Sequence, residues 1–325
     1  WRHCFWDAGT MHANLLAAAA TDKLEPRLIL GWADAPVERL LGLDPLREGA
    51  LTLVPLGRSN QAPPSRPEMP QLRLKTEPLS KSEVDYPTIR AAHAASSLVN
   101  SREAAAWAAR VLTPEQPDSH GLQITLQPYR NNERPRESLD RVIVRRGSTR
   151  VFDARKSISF EALSTALDQA TRGVAADFLE PPGATLLELY LIVNAVDGLT
   201  PGAYYYRRSD QLLEMLRKGN FRETARRLGL GQDLPAAAAV NIYSLINLRS
   251  VLERLGNRGY RAAQIEGGIV GGRLYLAAYA QRFGATGLTF FDDDVIDFFS
   301  PHATGKSVMF YVALGHPDRV ALGLA

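Results

Sequence analysis

The chain has 325 residues, 45% apolar and 22% charged, with a formal net charge of +3. This is ordinary globular composition, long enough for two domains of roughly 100–200 residues each. Basic residues are interleaved with acids, which argues against a nucleic-acid-binding surface, and no apolar run reaches the roughly 18 residues of a membrane helix. The single cysteine, Cys4, cannot form an intrachain disulfide or a paired-cysteine metal site, and it fits a reducing, cytoplasmic setting. The modest basic excess suits an anionic cofactor or substrate.

In chain order, the sequence opens at Trp1 inside a helical pattern, with no methionine or signal-like segment, so the natural N-terminus is expected upstream. Leu15 to Ala20 continues that helix, and Leu28-Ile29-Leu30 reads as a short strand. Asp34 is the expected cap of a helix carrying Val37, Leu40 and Leu41, with Pro36 tolerated in its first turn. A strand is expected over Leu51–Leu56. Residues 58–80 are rich in proline, serine and glutamine and read as a linker or extended arm. The alanine-rich stretch 87–112 predicts a helix, and the polar stretch 113–137 predicts loop with one strand at 122–126.

From Arg141 onward the pattern is a complete unit of strands and helices. Ser159 caps a helix bearing Leu163 and Leu167. Strands are expected at 186–196, 203–206, 237–246, 288–291 and 307–314, with a long helix over 260–283. An internal repeat links the two ends of the chain. Trp1–Ala20 aligns with Tyr260–Ala280, so that Arg2 falls on Arg261, Asp7 on Glu266, Gly9 on Gly268 and Leu15 on Leu274. After one gap, the run beginning Gly31-Trp32-Ala33-Asp34 falls on Thr289-Phe290-Phe291-Asp292.

Three segments carry candidate chemistry. Arg145, Arg146, Ser148, Thr149 and Arg150 crowd three guanidinium groups and two hydroxyls around Gly147. Arginine forks bind the oxygens of a phosphate dianion bidentately, and hydroxyls fill the remaining acceptor directions. Taken alone, the same residues also fit a solvated basic loop. The second segment is the long helix, whose Gly267, Gly268, Gly271 and Gly272 each cost about 1 kcal/mol relative to alanine. Such residues belong where another helix or a flat ring must come close. The third is Gly284 to Asp292, where Gly287, Leu288 and Thr289 can lay backbone N–H and C=O groups along a planar heterocycle.

Other motifs fail. "SPHATGKS" has Ser300 where a Walker loop needs glycine, and no GxGxxG, GxSxG or HExxH pattern is present. His302 and His316 read as turn residues, and Asp292-Asp293-Asp294 as an acidic helix start, so no metal site is expected.

Together these segments resemble the FMN-dependent nitroreductase superfamily, in the order arginine loop, long helix, glycine-containing strand entry. The resemblance is closest to the tandem-domain SagB-type branch, which includes azoline dehydrogenases of modified-peptide pathways. It is carried by "RRGSTRVFD", "ELYLIVNAVDGLTPGAYYYRRSDQLLEML", "NRGYRAAQIEGGIVGGRLYLAA" and "FFDDDV…VALGHP". It implies an α+β fold, an antiparallel-rich mixed sheet flanked by helices, with a tandem repeat forming an internal pseudo-dimer whose first copy is truncated. Residues 1–59 would be the second half of a degenerate first domain, 60–136 a linker and connector helix, and 137–325 the FMN-binding domain.

The implied cofactor is FMN, held by Arg145, Arg146, Ser148 and Arg150 at the phosphate and by Gly287, Leu288 and Thr289 at the ring, with Lys306 or Arg319 as a further cation. The implied activity is hydride transfer between flavin N5 and a small-molecule or modified-peptide substrate, without nucleic acid or membrane; further homo-oligomerisation is compatible with it. Two departures stand out. The family's flavin-contacting Pro-Ser is here Pro181-Pro182-Gly183-Ala184, which implies an empty N-terminal site. The Lys-Tyr pair of azoline dehydrogenases is here Arg254-Leu255, so no catalytic acid is named. The rival expectation is a non-catalytic scaffold of the same fold that binds a peptide or partner protein.

Overall fold

The computed structural model describes residues 1–57, 80–110, 121–180 and 183–318, together with 72, 75, 77 and 320. Most of the expected linker, Pro181-Pro182 and Arg319 therefore lie outside the described residues. Eighteen elements follow one another: α1 (Arg2–Thr21), α2 (Asp34–Leu41), α3 (Pro87–Ala95), α4 (Ser101–Ala108), β1 (Leu122–Thr125), α5 (Leu139–Arg145), α6 (Phe160–Ala170), β2 (Glu188–Val193), β3 (Gly202–Arg207), β4 (Leu212–Lys218), α7 (Arg222–Leu228), α8 (Asp233–Ala237), β5 (Val240–Ile246), α9 (Leu248–Leu255), α10 (Arg258–Ala280), β6 (Gly284–Gly287), α11 (Asp292–Phe299) and β7 (Ser307–Gly315).

The seven strands form one sheet in the order β1-β4-β3-β2-β5-β7-β6, and neighbouring strands run antiparallel. Parallel pairing enters only as the isolated bridges Leu28–Ala176 and Ile158–Val196 among the described residues. The architecture is thus the expected α+β one. β5 is buried along its whole length, its mostly apolar residues enclosing Asn241 and Ser244 as well. Ser159 does cap α6, its Oγ accepting from Ala162 N at 3.1 Å.

Several local expectations change. The stretch 87–112 is two helices, because the Ser96 and Ser97 hydroxyls donate back to the last carbonyls of α3 and Asn100 restarts the chain as the N-cap of α4. Leu28–Leu30 and Leu51–Leu56 are not strands; they meet at the single Ile29–Leu53 bridge. The strand expected at 288–291 lies at 284–287, where β6 pairs with β7, and the chain leaves the sheet at Leu288 to enter α11. Asp34 does not cap α2. The N-cap position is Ala33, and the Asp34 carboxylate turns to Arg258 and Arg261 instead.

α10 is buried on nearly every side, and its Arg258, Arg261, Gln264 and Glu266 are buried with the apolar residues. Its two glycine pairs serve two different neighbours. A Cβ at Gly267 would stand 3.2 Å from Phe310 Cβ, and one at Gly271 would enter the Phe310 ring on β7. A Cβ at Gly268 would stand 2.6 Å from Trp6 O, and one at Gly272 2.6 Å from Ala13 Cβ, both on α1. The glycines therefore let α10 sit tightly between the sheet and α1. Gly9 faces Gly268 and Ala13 faces Gly272, so the two helices run in the same direction at their contact.

This contact is reciprocal in the terms of the sequence repeat. Gly268 meets the carbonyl of Trp6, and its partner Gly9 meets the carbonyl of Ile265, the repeat equivalent of Trp6. Arg2 binds Asp292 bidentately at 2.7 and 3.0 Å, and Arg261, its equivalent, binds Asp34, the equivalent of Asp292, at 3.1 Å. Residue i meeting j while j meets i is the pattern of a twofold, isologous interface.

Candidate functional site

A cavity of about 370 Å3 opens where α1, the 146–148 loop, α10, residues 287–289 and β7 meet. That volume falls within the roughly 300–1,000 Å3 of small-molecule and cofactor sites. Of the residues expected to hold a cofactor, Arg146, Ser148, Gly287, Leu288 and Thr289 all line it. A larger recess of about 690 Å3, between β4 and the end of α11, contains none of them.

Two expected residues are not in the cavity. Arg145 is the last residue of α5, and the helix sends its guanidinium to Glu137 at 2.7 Å and to the carbonyl of Tyr279 at 2.5 Å. Arg150 is exposed and is not among the lining residues. Their adjacency in sequence hid this, because the chain turns out of α5 at Arg146 and each arginine takes a different direction. Lys306 is likewise elsewhere, half-buried and paired with Glu188 at 2.5 Å.

Arg146 donates from Nε to Asn14 Oδ1 at 3.1 Å, and no described residue takes its terminal nitrogens. Ser148 Oγ lies 3.2 Å from Tyr275 Oη, which also accepts from the N–H of Gly287. Tyr275 thus ties the arginine loop to the strand exit. The N–H groups of Leu288 and Thr289, two residues of the wall, make no hydrogen bond among the described residues and are donors in need of an acceptor.

α1 supplies the opposite wall. His3, Asp7 and Thr10 recur at helical spacing along one stripe facing the cavity, with Trp6 beside them. Trp6 donates to Gln264 in the core, and its ring meets Phe310 edge-on with centroids 5.4 Å apart. The Arg2 guanidinium rests over Trp6 and Phe290, 5.0 and 5.2 Å from the ring centroids. The Asp292 hydrogen bond holds the proton on Arg2 more firmly than usual. Sequence reasoning missed Tyr275 and the α1 stripe. The repeat carried the only signal for the latter, since pairing α1 with α10 fixes which side of α1 is left open.

Asp34, Glu38 and His93 place ligand-type atoms within 4.8 Å of one another. Arg258 and Arg261 already occupy Asp34, and two guanidinium groups oppose a cation there.

The sequence pattern of the nitroreductase family matches residues 143–316, more than half of the chain. The chain belongs to the nitroreductase family. The family's cofactor is FMN, and its chemistry is that of flavin oxidoreductases. A nitroreductase-like protein of known structure from Anabaena variabilis is 26% identical, with a TM-score of 0.73 over 98% of this chain and 65% of its own. The chain therefore spans slightly less than two thirds of that relative. A nitroreductase-like protein from Ralstonia eutropha is 18% identical, with a TM-score of 0.47 over 63% of this chain and 97% of its own. The E. coli microcin synthetase McbBCD complex, with truncated pro-MccB17 bound, is 18% identical, with a TM-score of 0.43 over 51% of this chain and 67% of the matched one. No curated protein matches the chain.

The cavity fits the family's cofactor. Arg146 and Ser148 suit the phosphate end, the unpaired N–H groups of Leu288 and Thr289 suit the polar edge of the ring system, and Trp6, Gly272 and Phe310 offer flat or close-approach surface. No helix among the described residues is long and apolar enough to cross a membrane.

Proposed function

We propose that this nitroreductase is an FMN-dependent oxidoreductase of the SagB-type branch, acting on a small-molecule or modified-peptide substrate. The observation that carries this reading is the meeting of Arg146, Ser148 and the free N–H groups of Leu288 and Thr289 around one cavity. Arg146 and Ser148 bind the phosphate by charge-assisted and neutral hydrogen bonds. Leu288 and Thr289 orient the ring. Bound there, FMN supplies hydride exchange at N5, while the protein supplies position and electrostatics.

α1 completes the site from the other half of the repeat, and the two halves act as an internal pseudo-dimer. Residues 1–59 are the remnant of the first domain and 137–325 the flavin domain. Proton exchange with the substrate falls to His3 and Asp7, which stand on the cavity wall. Arg254 and Leu255, in place of a Lys-Tyr pair, have no such role: neither is among the lining residues, and buried Leu255 gives its carbonyl to Trp107 Nε1 at 2.6 Å. A scaffold would have no use for a cation, a hydroxyl and two donors converging on an open cavity. Titration of the purified, flavin-free chain with FMN tests the proposal. Saturable binding with a perturbed flavin spectrum is expected, and a colourless protein that rejects FMN would favour the scaffold.

A further inference from the structure

We infer that the N-terminal half contains the repeat equivalent of the FMN cavity and that the chain has closed it with its own Asp177. This rests on the proposed flavin site of the C-terminal half. The repeat places Leu30 and Gly31 on Leu288 and Thr289. In the C-terminal half Leu288 and Thr289 line an open cavity, and their N–H groups make no hydrogen bond among the described residues. In the N-terminal half the same pair is occupied: Leu30 N donates to Asp177 Oδ1 and Oδ2 at 3.0 and 3.1 Å, and Gly31 N donates to Oδ2 at 2.7 Å. A carboxylate is a planar pair of acceptor oxygens, the shape a ring edge with adjacent acceptors presents to the same donors.

Two further repeat pairs agree. Asp7 stands on the open cavity, whereas its equivalent Glu266 accepts from Leu186 N at 2.9 Å. Asn14 accepts from Arg146 at the phosphate end of the open site, whereas its equivalent Arg273 donates to Gly173 O at 2.7 Å. These equivalents meet Asp177, Leu186 and Gly173, whereas their counterparts meet the cavity or the arginine loop. Ala175 and Asp177 are laid in by backbone bonds as well, Leu28 N donating to Ala175 O at 2.8 Å and Asp177 N to Leu28 O at 3.0 Å. The twofold pattern is thus broken at the sites although it is kept at the helix contact, and the chain has one competent flavin position.

Two measurements decide it. FMN bound per chain at saturation should be one; two equivalents would overturn the inference. Binding of none would defeat the functional proposal, and the decision on Asp177 would then rest on the flavin-free protein. There, Asp177→Ala should melt lower than the native chain, and excess formate should restore much of the loss by reoccupying the two N–H groups, while chloride at equal ionic strength should not. Amide exchange at Leu30 and Gly31 should quicken roughly tenfold or more in the variant and slow again with formate. An unchanged melting temperature, or recovery no better with formate than with chloride, would overturn the inference. If Asp177→Ala does not fold, Asp177→Ser, whose hydroxyl is too short to span both donors, is read by the same criteria.

Discussion

The Arg261–Asp34 and Arg2–Asp292 ion pairs occupy equivalent places in the repeat, yet their surroundings differ. Asp34 and Arg261 are buried, and Asp34 also takes Arg258 at 2.8 Å and the N–H of Leu98 at 2.8 Å. Arg261 reaches on to the Ser96 hydroxyl and the His93 carbonyl. The pair thus fastens the first half, α3 and α10 together in a dry environment, where burial and the neighbouring Arg258 lower the pKa of Arg261 to about 10. Arg2 and Asp292 are 29% and 43% exposed, with Arg2 resting over Trp6, a residue of the open cavity. One contact is buried while its twin stays beside solvent, the asymmetry that the proposed closure of the N-terminal position predicts.

The largest expected effect sharpens this contrast. Asp34→Ala leaves two buried guanidinium groups without their carboxylate and should cost about 3–5 kcal/mol. Asp292→Ala, at the exposed twin, should cost about 0–1 kcal/mol. Denaturant melts of the two variants measure both; equal losses would erase the distinction.

A second contrast lies between Asp7 and Glu266. Complete burial near Thr185, Arg208 and Arg273 raises the Glu266 pKa from 4.5 to about 7, the loss of hydration outweighing the two cations and the hydrogen bonds. The folded state therefore holds this proton more tightly than the unfolded chain. Its contribution to stability is full below pH 4.5 and is lost as pH rises to about 7, above which folding buries a charge. The shift corresponds to on the order of 3 kcal/mol. Glu266→Gln should therefore stabilise the protein at about pH 8 and change little at about pH 5. Melting curves at the two values check it, and a loss at the higher one would show that the charge is needed.

The helix contact should respond alike from both sides. Gly9→Leu and Gly268→Leu each push a side chain into the facing backbone and should cost about 1–3 kcal/mol or more. Raised melting temperatures in both would mean that the helices are not in tight contact.

Much of the frame was legible because local chemistry and burial agree. Ser159 caps a helix whose apolar spacing is regular, β5 is mostly apolar, and four glycines in one helix have few uses other than close packing. The repeat located α1 against α10. What failed depended on direction. Arg145 and Arg146 are neighbours in sequence, but only the register of α5 decides which reaches the cavity. Asp34 has the composition of a cap, and two arginines more than 200 residues away outcompete that role. Tyr275 looks like one more apolar residue of a buried helix until Ser148 and Gly287 are seen around its hydroxyl. Asp177 carried no motif at all, since its partners are backbone N–H groups.

We propose that FMN sits in the C-terminal cavity with its phosphate on Arg146. Titrating flavin-free protein with FMN, with Arg146→Ala and Arg145→Ala in parallel, tests it most directly. Removing a charge-assisted bond costs roughly 1.5–3 kcal/mol. Arg146→Ala should therefore weaken binding by about ten- to a hundredfold, while Arg145→Ala, which loses contacts to Glu137 and Tyr279 instead, should stay within about twofold of the native chain. Unchanged affinity in Arg146→Ala, or an equal loss in Arg145→Ala, would contradict it.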